Sequence, residues 1–288
     1  MRRICIILNF SRSGGTLLTR IMGKLPDVII ASEINSTAGV NPENRVVTPE
    51  IALQMQMQKW YGINLIANSF SKMVSDLVDI CSSSAKQLFI RDWTRLDFRS
   101  CKENEYSPKY RFSLIDEISQ NVHLVKIGFV RDAIDVYLSS GGNLFQFADD
   151  YLRYVNQLVS DNIPIFKYED LIAHTENTVK AICSMTGTKF SYDFLDYEEN
   201  HNCTGDIQLG RASRGIRHGG LAKLPRKWIP RDRRKEIDRC SEITQANHLL
   251  DYPIYYDSIA SETPVQMIWR RTRDRYEIIR QKIKANEK

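Results

Sequence analysis

Three short stretches of this chain gather side chains that can grip oxyanions. The first is Ser11-Arg12-Ser13-Gly14-Gly15-Thr16, a polar loop with an arginine in its middle. It follows an apolar run at 4–8 and precedes a helical pattern, so it reads as a corner between a buried strand and a helix. The unpaired N–H groups and positive dipole end of such a helix start attract anions. Gly14 and Gly15 let the backbone close around one, and Ser13 and Thr16 add hydroxyl donors. In the second stretch, VKIGFVRDAIDVYLSS, Arg131 stands at a strand end and Ser139 two turns along the next helix. An arginine there points into the crevice where open α/β sheets bind ligands, and both side chains can hold one phosphate. The third, Tyr168-Glu169-Asp170-Leu171, marks another strand-to-helix corner.

The opening loop is not the nucleotide pattern GxxxxGK[ST]. Asn9 or Phe10 stands where its first glycine belongs, and Gly15 takes the place of its lysine. A magnesium-nucleotide site needs that lysine, so a P-loop kinase or NTPase is the weaker enzyme reading.

The elements that position these residues alternate along the chain. Strands are expected at 4–8, 28–31, 87–91, 122–130 and 163–168, and helices at 16–24, 50–81, 113–119, 132–140, 144–160 and 175–186. Thr48 as N-cap, Pro49 at the first helical position and Glu50 in the first turn start the helix near 50. Such alternation predicts an α/β domain with a central, mostly parallel sheet, and near-continuous apolar strands such as ICIIL suit a sheet covered on both faces. The 288 residues, 42% hydrophobic and 26% charged, fit one globular domain spanning 1–288. A basic helical extension is expected at about 262–288, with Trp269, Tyr276, Ile279 and Ile283 on a docked apolar face. The net charge of +5 concentrates there and at 211–239. The six cysteines lack a CxxC pair, which argues against zinc and suits reduced thiols in the cytoplasm. No segment reaches the ~20 apolar residues of a membrane span.

In their order, the three stretches resemble the motifs of sulfotransferases that use 3'-phosphoadenosine-5'-phosphosulfate (PAPS). Those enzymes carry an RSGTT-like loop, an R-D-x-x-D-V-x-x-S segment and a YEDL segment. Here these read Arg12-Ser13-Gly14-Gly15-Thr16, Arg131-Asp132…Asp135-Val136…Ser139 and Tyr168-Glu169-Asp170-Leu171, over roughly residues 3–240. Gly15 departs from the family's usual threonine: a backbone N–H survives and one hydroxyl donor is lost.

The resemblance implies the P-loop-like sulfotransferase fold, and PAPS as sulfuryl donor with 3',5'-adenosine bisphosphate (PAP) as product. It implies no metal, no nucleic acid, and a hydroxylated small molecule, glycan or peptide as acceptor. Arg12, Ser13, Gly14, Gly15, Thr16 and Leu17 would hold the phosphosulfate, with Arg12 stabilising the leaving group. Arg131 and Ser139 would hold the 3'-phosphate. Tyr168 would lie beside the adenine, or else pack as an aromatic at a strand end. Glu33, in LPDVIIASEIN, matches the catalytic glutamate of the protein-tyrosine branch and is the expected general base; otherwise it bonds the loop arginine or caps a helix. Arg91 and Asp92 are expected to line the acceptor side, Asp92 as reserve base, or to pair with each other. Arg214 and Arg217, with Lys223 and Arg226 behind them, match a basic loop closing over the 3'-phosphate. A non-catalytic nucleotide- or polyanion-binding protein on the same scaffold is the alternative outside enzymes.

Overall fold

The computed structural model of the chain describes residues 2–66, 68–99, 108–118, 122–200, 202–204, 221, 225–269 and 272. Strand β1 (Arg3–Asn9) runs through its centre. Side chains alternate across a strand, and here both faces find apolar partners. Ile4, Ile6 and Leu8 enter one core cluster, and Cys5 and Ile7 enter another on the opposite face. β1 pairs in parallel with β5 (Gln87–Asp92) on one side and β6 (His123–Val130) on the other. The seven strands lie in the order β4-β3-β2-β5-β1-β6-β7. β2 (Val28–Ile34) and β7 (Ile165–Lys167) extend the parallel part, while the short β3 (Gly39–Val40) and β4 (Val46–Val47) add an antiparallel edge. The expected mostly parallel α/β sheet is the one observed.

Helices cover both faces. They are α1 (Gly15–Met22), α2 (Pro49–Tyr61), α3 (Phe70–Ser83), α4 (Arg95–Phe98), α5 (Ser113–Ile118), α6 (Ala133–Ser140), α7 (Leu144–Ser160), α8 (Tyr168–Ala173), α9 (Thr175–Thr186), α10 (Arg231–Asp238) and α11 (Ser241–Leu249). α1, α8 and α9 pack on the Cys5 face, whereas α2, α3, α5, α7 and α11 pack on the Ile4 face. Among the described residues, no helix is long and apolar enough to cross a membrane.

Three expectations change. The single helix expected over 50–81 is two helices. Thr48 caps α2 as expected, but Gly62, at φ 67°, ends it in the left-handed conformation and Ser69 caps a new start at α3. The last parallel strand stops at Lys167, so Tyr168 opens α8 instead of ending β7. Trp269, expected on a docked apolar face, is 72% exposed, and Tyr276, Ile279 and Ile283 lie outside the described residues.

The loop after β1 rests on aromatic rings supplied mainly by α7. Phe10 meets Tyr151 edge-on at 5.2 Å and Phe147 at 6.0 Å between centroids, and contacts Tyr154 at 5.5 Å. Tyr154 also donates from its hydroxyl to the Leu8 carbonyl at 2.9 Å. Phe10 is 1% exposed, so its removal leaves a cavity directly under the loop. Phe10→Ala is expected to lower the unfolding free energy by about 3–5 kcal/mol, measured by urea titration. A loss below about 1 kcal/mol would mean that the rings close over the gap.

Candidate active site

The expected residues follow the carboxyl ends of five adjacent parallel strands. Across the sheet they are Glu33 in β2, Arg91 in β5, Arg12 after β1, Arg131 after β6 and Tyr168 after β7. Ligands bind at this edge of an open α/β sheet.

The loop after β1 has the form of an anion cradle. A hydrogen bond from Ser13 N–H to the Phe10 carbonyl, 3.1 Å, closes it. Gly14 at φ 92° is the N-cap of α1, and no side chain caps that helix start. A Cβ on Gly14 would come within 2.4 Å of the Tyr168 ring, so glycine is required by both torsion and contact. Ser13 is fully buried and its Oγ has no hydrogen-bond partner.

Arg12, at φ 75°, reaches across to the second motif and donates from Nε to Ser139 Oγ at 3.1 Å. Arg131 lies with its guanidinium carbon 4.6 Å from the centroid of the Tyr168 ring. Its Nε is 4.0 Å from Glu169 Oε1 and makes no hydrogen bond. Tyr168 is therefore wedged between Gly14 and Arg131. Glu169 also accepts from the Asp132 N–H, at 3.5 Å, and from the Tyr252 hydroxyl. Burial raises the Glu169 pKa against the lowering effect of that hydroxyl.

Glu33 occupies a bulge in β2 at φ 55°, where the pairing to β5 shifts between Ser32 and Ile34. The buried Gln56 amide makes the bulge possible. It accepts from Ser32 N–H at 2.8 Å and donates to the Ser32 carbonyl at 2.7 Å, replacing strand bonds. The Glu33 carboxylate accepts from Thr204 Oγ1 at 3.0 Å and is 3.4 Å from Arg91 Nη2. Arg91, 3% exposed, also donates to Ser32 Oγ at 2.8 Å, to the Thr204 carbonyl at 2.9 Å and to Thr16 Oγ1 at 3.4 Å. One guanidinium thus joins the anion loop to the expected base.

Asp92 does not share this environment. Neighbouring strand residues point to opposite faces, so Arg91 pairs with Glu33 while Asp92 turns into the core, 2% exposed. It does not pair with Arg91. Asn35 Nδ2 donates to Asp92 Oδ1 at 3.1 Å and to Asp97 Oδ2 at 2.9 Å. Burial pushes the Asp92 pKa far up, with the Asp97 charge adding to it.

Arg226 has a role that sequence reasoning missed. Arg226 is 1% exposed, 2.8 Å from Asp132 Oδ2 and 3.2 Å from Asp135 Oδ1. Its Nη1 donates to the Tyr256 carbonyl at 2.6 Å. The acids of RDAIDV thus anchor an arginine 94 and 91 positions later (226 − 132 and 226 − 135), a distance that no local pattern encodes. Burial, opposed by Arg226, raises the Asp132 pKa to about 6. Arg214, Arg217 and Lys223 lie outside the described residues. Among the described residues, no group of three or more His, Cys, Asp or Glu side chains could hold a metal ion.

No protein-family model matches this chain, and no curated protein matches it in sequence. Solved structures do resemble it. The sulfotransferase domain of the Synechococcus PCC 7002 olefin synthase aligns over 87% of this chain and 95% of its own, with 14% identity and a TM-score of 0.56. A sulfotransferase domain from the curacin biosynthetic pathway aligns over 88% of this chain and 99% of its own, with 14% identity and a TM-score of 0.51. At that identity the likeness is one of fold, and the chain has the fold of these sulfotransferase domains.

The buried acid pair gives stability a pH dependence of definite sign. Asp92 titrates higher in the folded chain than the ordinary carboxylate value of about 4. Its ionisation therefore costs stability as pH rises from about 4 toward the folded value. Asp92→Asn keeps the shape without the charge. It is expected to raise the melting temperature at about pH 8 and to flatten the decline between about pH 4 and 8. Parallel melting curves for variant and wild type would remove Asp92 as the source.

Proposed function

We propose that this chain is a sulfotransferase that moves a sulfuryl group from PAPS to an acceptor hydroxyl and releases PAP. The observation that carries this reading is the Arg12–Ser139 hydrogen bond, which sets the anion loop of β1 directly beside the second phosphate grip on α6. Two such grips side by side suit a donor with a phosphosulfate at one end and a 3'-phosphate at the other. ATP has no group for the second. The residues present fit that donor. Ser13 Oγ and Arg131 Nε are buried polar atoms without hydrogen-bond partners, and Gly14 leaves the backbone bare at an uncapped helix start.

In this reading Arg12, Ser13 and the N–H groups of Gly14, Gly15, Thr16 and Leu17 hold the phosphosulfate. Arg131 and Ser139 hold the 3'-phosphate. Tyr168, whose ring already backs Arg131, lies at the adenine end. Arg214 and Arg217 add positive charge for the 3'-phosphate. Transfer moves a neutral SO3 unit in line from a phosphate oxygen to the acceptor oxygen, and negative charge grows on the departing phosphate. In this reading Arg12 and the loop N–H groups carry that charge. Glu33 takes the hydroxyl proton as the acceptor oxygen attacks. Arg91 and Thr204 orient its carboxylate, and its left-handed backbone is the kind of strain that collects at functional sites. The acceptor belongs to the class of hydroxylated small molecules, glycans or peptides.

Calorimetric titration with PAP and with ATP tests the donor assignment: PAP is expected to bind tightly and ATP not at all, and preference for ATP would sink it. Glu33→Gln is expected to abolish turnover while leaving PAP affinity within about twofold. A variant that still turned over at the wild-type rate would free Glu33 of the base role.

A further inference from the structure

Gly15 leaves the anion loop one hydroxyl short, and the structure shows what stands in that space. A Cβ on Gly15 would lie 2.3 Å from Asn9 Nδ2 and 2.5 Å from both Asn9 Cγ and Oδ1. Every heavy atom of the Asn9 amide therefore fills the volume that a side chain at 15 would need. Gly15 is not among the glycines with positive φ, so contact with Asn9, not backbone torsion, demands a glycine there.

Asn9 ends β1 and is 7% exposed. Its backbone carbonyl is held by the Thr94 hydroxyl. Its side-chain amide is only half used: Nδ2 donates to the Phe10 carbonyl at 3.2 Å, and Oδ1 has no partner. An amide nitrogen carries two N–H bonds, and buried polar groups are rarely left unsatisfied without a reason. Ser13 Oγ, in the loop that follows, is likewise without a hydrogen-bond partner.

We propose that Asn9 supplies the donor that Gly15 lacks, giving its second Nδ2–H to the 5'-phosphate end of the nucleotide. This rests on the PAPS reading above and makes Asn9 and Gly15 one unit: the carboxamide enters because the glycine vacates the space.

The test uses the full chain and two nucleotides, PAP and adenosine 3'-phosphate, which lacks the 5'-phosphate. Asn9→Asp has the same shape but exchanges the N–H for an anionic oxygen. It is expected to weaken PAP binding by about 100-fold or more while leaving adenosine 3'-phosphate within about twofold of wild type. Asn9→Ala is expected to weaken PAP about tenfold, the loss of one hydrogen bond to a charged group. Gly15→Thr alone, forced against the Asn9 amide, is expected to bind PAP more weakly than wild type. In Asn9→Ala/Gly15→Thr the hydroxyl has room, and PAP affinity is expected to return to within about threefold of wild type. Wild-type PAP affinity in Asn9→Asp would overturn the assignment. So would equal losses for both nucleotides, which would mark Asn9 as merely structural. If the wild-type chain binds no PAP at all, the PAPS reading itself falls, an outcome distinct from either.

Discussion

Two buried phenol hydroxyls on α7 hold the ends of two neighbouring strands, β1 and β6. Tyr154 donates to the Leu8 carbonyl at 2.9 Å, and Tyr151 donates to the Arg131 carbonyl at 2.6 Å. Burial raises the pKa of both phenols, so both stay neutral donors. One helix thereby fixes where β1 ends and the anion loop begins, and where β6 ends and Arg131 begins. In a close-packed interior such points cannot drift independently. The spacing between the two grips, and hence the Arg12–Ser139 contact, follows from these bonds and from the Phe10 ring beneath the loop.

Strain concentrates above that platform. Arg12 and Glu33 are both non-glycine residues at positive φ, each costing on the order of 1 kcal/mol or more. Both are held by contacts from distant parts of the chain. Ser139 takes the Arg12 Nε–H, while Gln56, Thr204 and Arg91 surround the Glu33 bulge. Arg91 is itself buried, and a buried guanidinium needs partners for its donors. Those partners, Thr16, Ser32, Glu33 and Thr204, come from both sides of the candidate site.

The acidic residues of the motifs serve the frame. Asp132 and Asp135 hold Arg226, which ties the chain after residue 225 to the start of α6. Glu169 reaches Arg131 and the Asp132 N–H together. Asp132, Asp135 and Glu169, then, position the backbone and neighbouring arginines, while the Arg131 Nε makes no hydrogen bond.

Much of this was legible in the order of residues. The strand periods, the glycines of the loop, Arg12, Arg131 and Ser139 are local signals, since side-chain alternation and turn chemistry act within a few residues. They determined an α/β sheet and a polar corner after its first strand. What they left undetermined were contacts across the fold. The break at Gly62 was hidden because the apolar pattern resumes after Ser69. Arg91 and Asp92 read as neighbours on one side, whereas strand alternation sends one to Glu33 and the other into the core. Arg226 looked like part of a basic loop because burial cannot be read from charge. Gly15 looked like a gap until Asn9 was found filling it. The sequence by itself determined which chemical groups each strand end presents. Only the tertiary structure decided which of them meet, because pairing and burial depend on neighbours that the chain brings together from scores of residues apart.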